Sequence, residues 1–214
     1  MPRKKKIKLS EVETFTNVFS TDTEDLESSI KNYFGNNNSI TLELGCGQGD
    51  YSILLAKEFP GKNFLGVDIK GSRIWTGAKK ALELKLLNAA FLITYADNLM
   101  NLFSEIKFEE IWIPFPDPFP RQKSIKRRLV HPRFLQIYQN ILLPNGTVNL
   151  KTDDDTLFNY TLKIVGDNKL KLIKSTANLY RSDSLTVQEN IKTKYEKQHL
   201  KEGKLIKYIC FGFR

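Results

Sequence analysis

The sequence predicts an open α/β fold: a mostly parallel, seven-stranded sheet with helices on both faces and an antiparallel strand at its C-terminal end. Three observations predict it. From residue 38 onward, short apolar runs alternate with stretches of helical periodicity. That alternation is the pattern of repeated strand-helix-strand units, whose crossovers place helices over a parallel sheet. A glycine cluster, "GCGQG" at 45–49, then joins the first apolar run to the first helical stretch, where such folds need a tight turn.

The elements follow in order. Residues 1–37 are polar, cationic at first (Arg3, Lys4, Lys5, Lys6, Lys8), and read as a loose basic arm leading into a short helix that ends at Gly35 and the following asparagines. Residues 38–214 read as a single domain. "SITLEL" is a strand and "YSILLAKEF" a helix; "NFLGV" is a strand and "RIWTGAKKALELKL" a helix. "AFLITY" is a strand, with a short helix near 98–105. "EEIWIPF" is a strand, and "PRFLQIYQNIL" is helical after a proline loop. "TVNLKT" is a strand and "TLFNYTLKIV" a helix. "KLKLIKSTANLY" and "KLIKYICF" are two further strands, with a helix around 193–201 between them.

Composition narrows the function. With 41% hydrophobic and 27% charged residues the chain is ordinary for a globular protein, but its formal charge of +9 points to an anionic partner, most simply nucleic acid. The two cysteines, Cys46 and Cys210, form no disulfide framework or zinc ligand set. No apolar run spans a bilayer, and the start "MPRKKKIKLSEVETF" has no apolar stretch of a secretory signal. A cytoplasmic protein with no membrane partner and no metal is expected; monomer and homodimer stay open.

Ligands of open α/β sheets bind beyond the carboxyl ends of the strands. There the sequence places acids. Gly45, Gly47 and Gly49 follow the first strand in a Gly-x-Gly-x-Gly spacing, and Asp50 stands where a dinucleotide fingerprint wants Gly or Ala. A pyrophosphate grip is therefore disfavoured, and Asp50 is expected to cap the helix. Asp68 ends the second strand, where an acid accepts hydrogen bonds from both hydroxyls of a ribose. Glu43, near the end of the first strand, needs a partner, and a cationic ligand group would serve. Asp97 follows the third strand. An adenosine, an ammonium group and no pyrophosphate describe S-adenosylmethionine better than a nicotinamide dinucleotide.

The stretch "WIPFPDPFPR" at 112–121 sets Asp117 between Pro116 and Pro118, at the tip of the fourth strand. Proline fixes its own φ and biases the preceding residue towards extended backbone, so Phe115, Asp117 and Phe119 are expected to be extended. The alternative is a plain rigid connection with a solvated acid. Residues 121–133, "RQKSIKRRLVHPR", carry many cations and no acid, suited to phosphate contacts or to a solvated face.

Together "ELGCGQGDY", "GVDI", "FPDPFP" followed by "KRR", "LKTDD", and "TKYE" followed by "EG" resemble the bacterial tRNA (guanine-N7)-methyltransferases, which modify guanine at tRNA position 46. The resemblance runs from about residue 38 to the C-terminus and implies a Rossmann-like class I methyltransferase using S-adenosylmethionine on tRNA. It implies that Glu43, Asp68 and Asp97 contact the cofactor, beside Gly45, Gly47 and Gly49. It makes Asp117 the active-site acid next to the cofactor. It implies that Arg121, Asp153, Thr193, Lys194, Tyr195 and Glu196 contact the RNA. Phe119 stands where the family usually has Trp, Arg121 where it has Lys, and Ser124 where a His precedes the "KRR" run. Guanine's N1–H and N2–H donors suit a carboxylate; Asp117, Asp153 and Glu196 are each candidates.

Overall fold

A computed structural model describes the backbone of residues 2–214 and the side chains from Lys5 on. The strands are β1 (Val18–Ser20), β2 (Ile40–Leu44), β3 (Asn63–Asp68), β4 (Ala89–Ile93), β5 (Phe108–Pro114), β6 (Leu142–Thr152), β7 (Lys171–Thr176) and β8 (Lys207–Gly212). The helices are α1 (Pro2–Val12), α2 (Leu26–Phe34), α3 (Asp50–Glu58), α4 (Gly71–Glu83), α5 (Leu99–Leu102), α6 (Pro132–Ile141), α7 (Asp155–Asp167), α8 (Val187–Asn190) and α9 (Lys194–Lys201). Short 3-10 turns lie at Ala96–Asn98, Gln122–Arg127 and Leu179–Arg181.

The strand order is β1-β4-β3-β2-β5-β6-β8-β7. All described pairings are parallel except those of β8, which runs antiparallel to both β6 and β7. The order reverses between β2 and β5, so the switch point of the sheet falls there. Register aligns the tips: Leu44 pairs with Val67, Asp68 with Ile93, and Pro114 with Lys151.

Alternation along each strand divides the core in two. Leu42, Leu44, Leu65, Val67, Ile111 and Leu150 pack under α2, α5, α6 and α7. Phe64, Phe91, Trp112, Tyr208 and Cys210 face α1, α3 and α4. Within α4 the buried residues Ile74, Gly77, Ala78 and Ala81 form one stripe, the spacing that lays a helix on a sheet.

The N-terminal segment departs from expectation. Instead of a loose arm, α1 packs along α4, with Lys8 over the Trp75 ring at 4.2 Å and Glu11 accepting a 2.7 Å hydrogen bond from Trp75 Nε1. The side chains of Arg3 and Lys4 lie outside the described residues. Val18–Ser20 then adds a strand beside β4, making eight strands among the described residues rather than seven. Three residues are too few to show a period. Tertiary partners fix them: Phe19 is buried, and the buried Asn17 donates to the Ala78 carbonyl at 3.0 Å.

The glycine turn is built by close packing. Gly49 has φ +69° and is the helix-capping residue, so Asp50 is the first residue of α3 rather than its cap. A Cβ on Gly77 would lie 2.4 Å from the Gln48 carbonyl oxygen and 3.1 Å from the Gly49 Cα. Helix α4 thus touches the turn backbone directly. Gly77→Ala should push the two apart and destabilise the fold by about 1–3 kcal/mol, the usual range for overpacking. Urea unfolding reads this out, and an unchanged midpoint would show that the turn yields freely.

Candidate active site

A cavity of about 370 Å³ opens at the carboxyl edge of β2, β3, β4 and β5, a size suited to a small-molecule ligand. Leu44 and Gly45 line it at the end of β2, Val67, Asp68, Ile69 and Lys70 at the end of β3, and Thr94 to Asp97 after β4. Phe115, Pro116, Asp117 and Phe119 close it after β5, and Arg73, Arg127 and Arg133 add positive charge.

Asp68 is 8% exposed. One carboxylate oxygen accepts from the Gly47 N–H at 3.0 Å, the other from the Lys70 N–H at 2.8 Å. A carboxylate has about four acceptor positions, so about two stay free towards the cavity, which matches a ribose diol. Gly47 takes part through this bond. Gly49 faces Phe91 rather than the cavity. Asp97 forms a fork with Arg133 at 2.8 and 3.3 Å across the start of α6. That helix is capped by His131, whose Nδ1 accepts from the Arg133 N–H.

Glu43 sits elsewhere. It is buried and is not part of the cavity wall; one oxygen accepts both the N–H and the hydroxyl of Ser52 in α3. Its strand position points it at the face carrying α3, so the cationic partner expected from the sequence is replaced by the first turn of a helix. Burial pushes its carboxyl up to about 8, against the bonds from Ser52.

The proline loop also corrects an expectation. Phe115 and Phe119 have φ of +53° and +42°, in the left-handed region, although each precedes a proline. Such positions cost on the order of 1–3 kcal/mol each and persist only where the surroundings over-determine them. The surroundings do so on both sides. The Phe115 N–H continues the sheet, donating to the Lys151 carbonyl at 2.8 Å. Its ring packs on Tyr195 of α9, centroids 5.2 Å apart. At the other end Arg128, 2% exposed, donates to the carbonyls of Pro118 and Phe119 at 2.8 and 3.2 Å, while its guanidinium lies over Tyr160. Arg127 stacks on the Phe119 ring at 4.6 Å. Asp117 stands exposed between these supports.

The residues expected to meet RNA divide into two groups. Arg121, Lys194 and Tyr195 are exposed, Tyr195 at 48%. Asp153, just past β6, accepts from His199 Nδ1 at 2.8 Å and Lys204 Nζ at 3.3 Å. Burial raises its carboxyl, but Lys204 and His199 outweigh that and hold it below the usual range. Thr193 is turned inward: its hydroxyl caps α9 by accepting from the Glu196 N–H. Glu196 is fully buried and bonded to Lys151 Nζ at 3.0 Å and to the Tyr180 hydroxyl. Lys151 is equally buried; desolvation draws it below the ordinary lysine range, with Glu196 opposing. A charge so enclosed needs its partner. Glu196 therefore anchors α9 against β6, and of the three candidates for the guanine edge only Asp117 and Asp153 reach towards the surface.

The family model described as "Putative methyltransferase" matches residues 37–209. The tRNA (guanine-N(7)-)-methyltransferase of Christiangramia forsetii is 39% identical, covering 97% of this chain and 96% of the relative. The enzyme of that name from Cytophaga hutchinsonii is 38% identical over 100% of this chain and 99% of its own. The chain belongs to the tRNA (guanine-N7)-methyltransferase family. Among solved structures, the 16S rRNA methyltransferase KamB superposes with a TM-score of 0.66 at 12% identity, covering 89% of this chain and 95% of that one. That likeness is one of fold: the class I methyltransferase architecture.

Within this family frame, Lys151 and His199 shape the site but were not singled out from sequence, and Arg128 and Arg133 were read only as members of a cationic run. Arg128, expected with Arg127 to meet phosphate or solvent, is instead turned inward onto the Pro118 and Phe119 carbonyls. Lys151 lies in an apolar strand, and a lysine there is itself a signal of a buried acid partner.

Two outcomes follow. The Glu43 carboxyl, raised in the folded protein above the ordinary 4.5, contributes stability fully present below about pH 4.5 and lost as pH rises through about 8. Glu43→Gln should flatten the stability profile across that window in urea titrations; an unaltered slope would mean the carboxyl titrates normally. Arg128→Ala should cost about 1–3 kcal/mol of stability through the lost loop bonds. Arg127→Ala should instead leave stability intact and reduce the salt slope of tRNA binding by about 1. The reverse assignment of these two effects would refute the division.

Proposed function

We propose that this chain transfers a methyl group from S-adenosylmethionine to N7 of guanine at tRNA position 46, with Asp117 as the active-site acid, and that it does so in the cytoplasm. Family membership supports the reaction. Position 46 rests on the resemblance carried by the proline loop, "LKTDD" and "TKYE". The observation that carries the site assignment is that Asp68 and Asp117 line one cavity whose rim bears Arg127, Arg133 and the exposed Tyr195 nearby.

The cofactor fits this cavity through the two free acceptor positions of Asp68, the glycine backbone at Gly45, and the apolar walls at Leu44, Ile69 and Ala96. When bound, S-adenosylmethionine supplies an electrophilic methyl group on a sulfonium. N7 of neutral guanine already carries a lone pair, so no general base is required, and positioning does much of the work. Ring charge becomes positive as the bond forms, and the Asp117 carboxylate stabilises it from a backbone already fixed in place. Arg121, Arg127, Lys194 and Tyr195 are placed to hold the RNA, the cations on phosphates and the ring against a base. Glu43 serves by fixing the start of α3, and Glu196 by fixing α9.

Nucleoside mass spectrometry of tRNA incubated with the protein and labelled cofactor should show 7-methylguanosine, and a transcript with adenine at position 46 should yield none. Label at another guanine would overturn the position. Asp117→Asn keeps shape and removes charge. Its single-turnover rate, with both substrates saturating, should fall on the order of 100-fold or more, while tRNA affinity stays near wild type. Wild-type turnover would remove Asp117 from the chemistry.

A further inference from the structure

We infer that His199 is a positioning residue for Asp117, acting through Tyr195 and Phe115; this rests on the reading of Asp117 above. Three rings form one column from α9 to the proline loop. His199 stacks on Tyr195 with centroids 3.9 Å apart and planes inclined by 34°. Tyr195 packs on Phe115 at 5.2 Å and 57°. Phe115 is the left-handed residue two positions before Asp117.

The column is fixed at its foot. His199 is 8% exposed, and its Nδ1 lies 2.8 Å from Asp153 Oδ2 and 3.0 Å from Lys204 Nζ. An aliphatic residue at this place on α9 would fill the space but offer Tyr195 no ring face to rest on. The imidazole edge, 2.8 Å from Asp153 beyond β6, adds a tether to the ring face on which Tyr195 rests. Tyr195 is half exposed and has no side-chain hydrogen bond among those described, so its tilted ring contacts with His199 and Phe115 are what orient it. Phe115 in turn cannot relax to the extended backbone favoured before a proline without losing the Tyr195 contact. That relaxation would swing Pro116 and Asp117 away from the cavity. Arg128 guards only the far side of the loop, at Pro118 and Phe119.

Amide hydrogen exchange of the free protein tests the clamp apart from catalysis. The Phe115 amide, bonded to the Lys151 carbonyl, should exchange faster in His199→Ala and recover in His199→Phe, which keeps the stack. Tyr195→Leu, at a half-exposed position, should show the same acceleration and covers the case in which His199→Ala does not fold. Single-turnover methylation by His199→Ala, with cofactor and tRNA both saturating, should fall ten- to a hundredfold, the scale of a small misplacement of a reacting group. Wild-type exchange at Phe115 in His199→Ala, or in Tyr195→Leu where the former does not fold, would overturn the inference. So would failure of His199→Phe to restore protection. Fast exchange with wild-type methylation would support the clamp and instead refute the role of Asp117.

Discussion

Asp117 is held by backbone that would not keep its shape alone. Two phenylalanines in left-handed conformation bracket it, each followed by a proline that disfavours helical geometry before it. Everything around the site can be understood as support for that arrangement. The sheet holds one end through the bond from Phe115 to Lys151, α9 leans on it with Tyr195, and the buried Arg128 ties the other end to α7 through Tyr160. The prolines reduce the number of states available, and the tertiary contacts choose among those that remain.

The ligand side is simpler. Parallel register brings the ends of β2, β3, β4 and β5 to one edge, and the reversal of strand order opens a crevice there. Within it Asp68 has its free acceptor positions directed by two backbone donors. Glu43 looks equivalent in sequence but belongs to the other face of the sheet, where a carboxylate steadies the helix that begins after the glycine turn.

Much of this was legible from the chain alone. Each strand from β2 to β8, and each long helix from α3 onward, announces itself by apolar period, and strand-end acids mark the cavity. Before residue 38 the short helix closed by Gly35 was legible and is α2, but α1 and β1 were not: β1 is three residues long and its pairing with β4 is a tertiary fact. Site residues were legible by type but not by direction. Glu196 and Arg128 carry the charges that would suit RNA, yet both are enclosed. Whether a charged side chain faces water or a partner depends on residues distant in sequence, such as Lys151 for Glu196 or the Pro118 carbonyl for Arg128. The left-handed phenylalanines were invisible for the same reason, since local preference argues against them.

The placement of β8 has a consequence for how the chain matures during synthesis. It lies between β6 and β7 and is their shared antiparallel neighbour, yet it follows both in sequence. Until residues 207–212 have left the ribosome, β6 presents a bare edge and β7 has no place in the sheet. Helix α9, which supports the proline loop, is anchored on β6 through Lys151 and, through the Asp153 carboxylate that His199 and Lys204 share, on the segment leading into β8. The acid therefore gains its final geometry only once the last strand has been inserted, so nascent chains stay incompetent, with an unpaired strand edge open to aggregation, until translation of this region is finished.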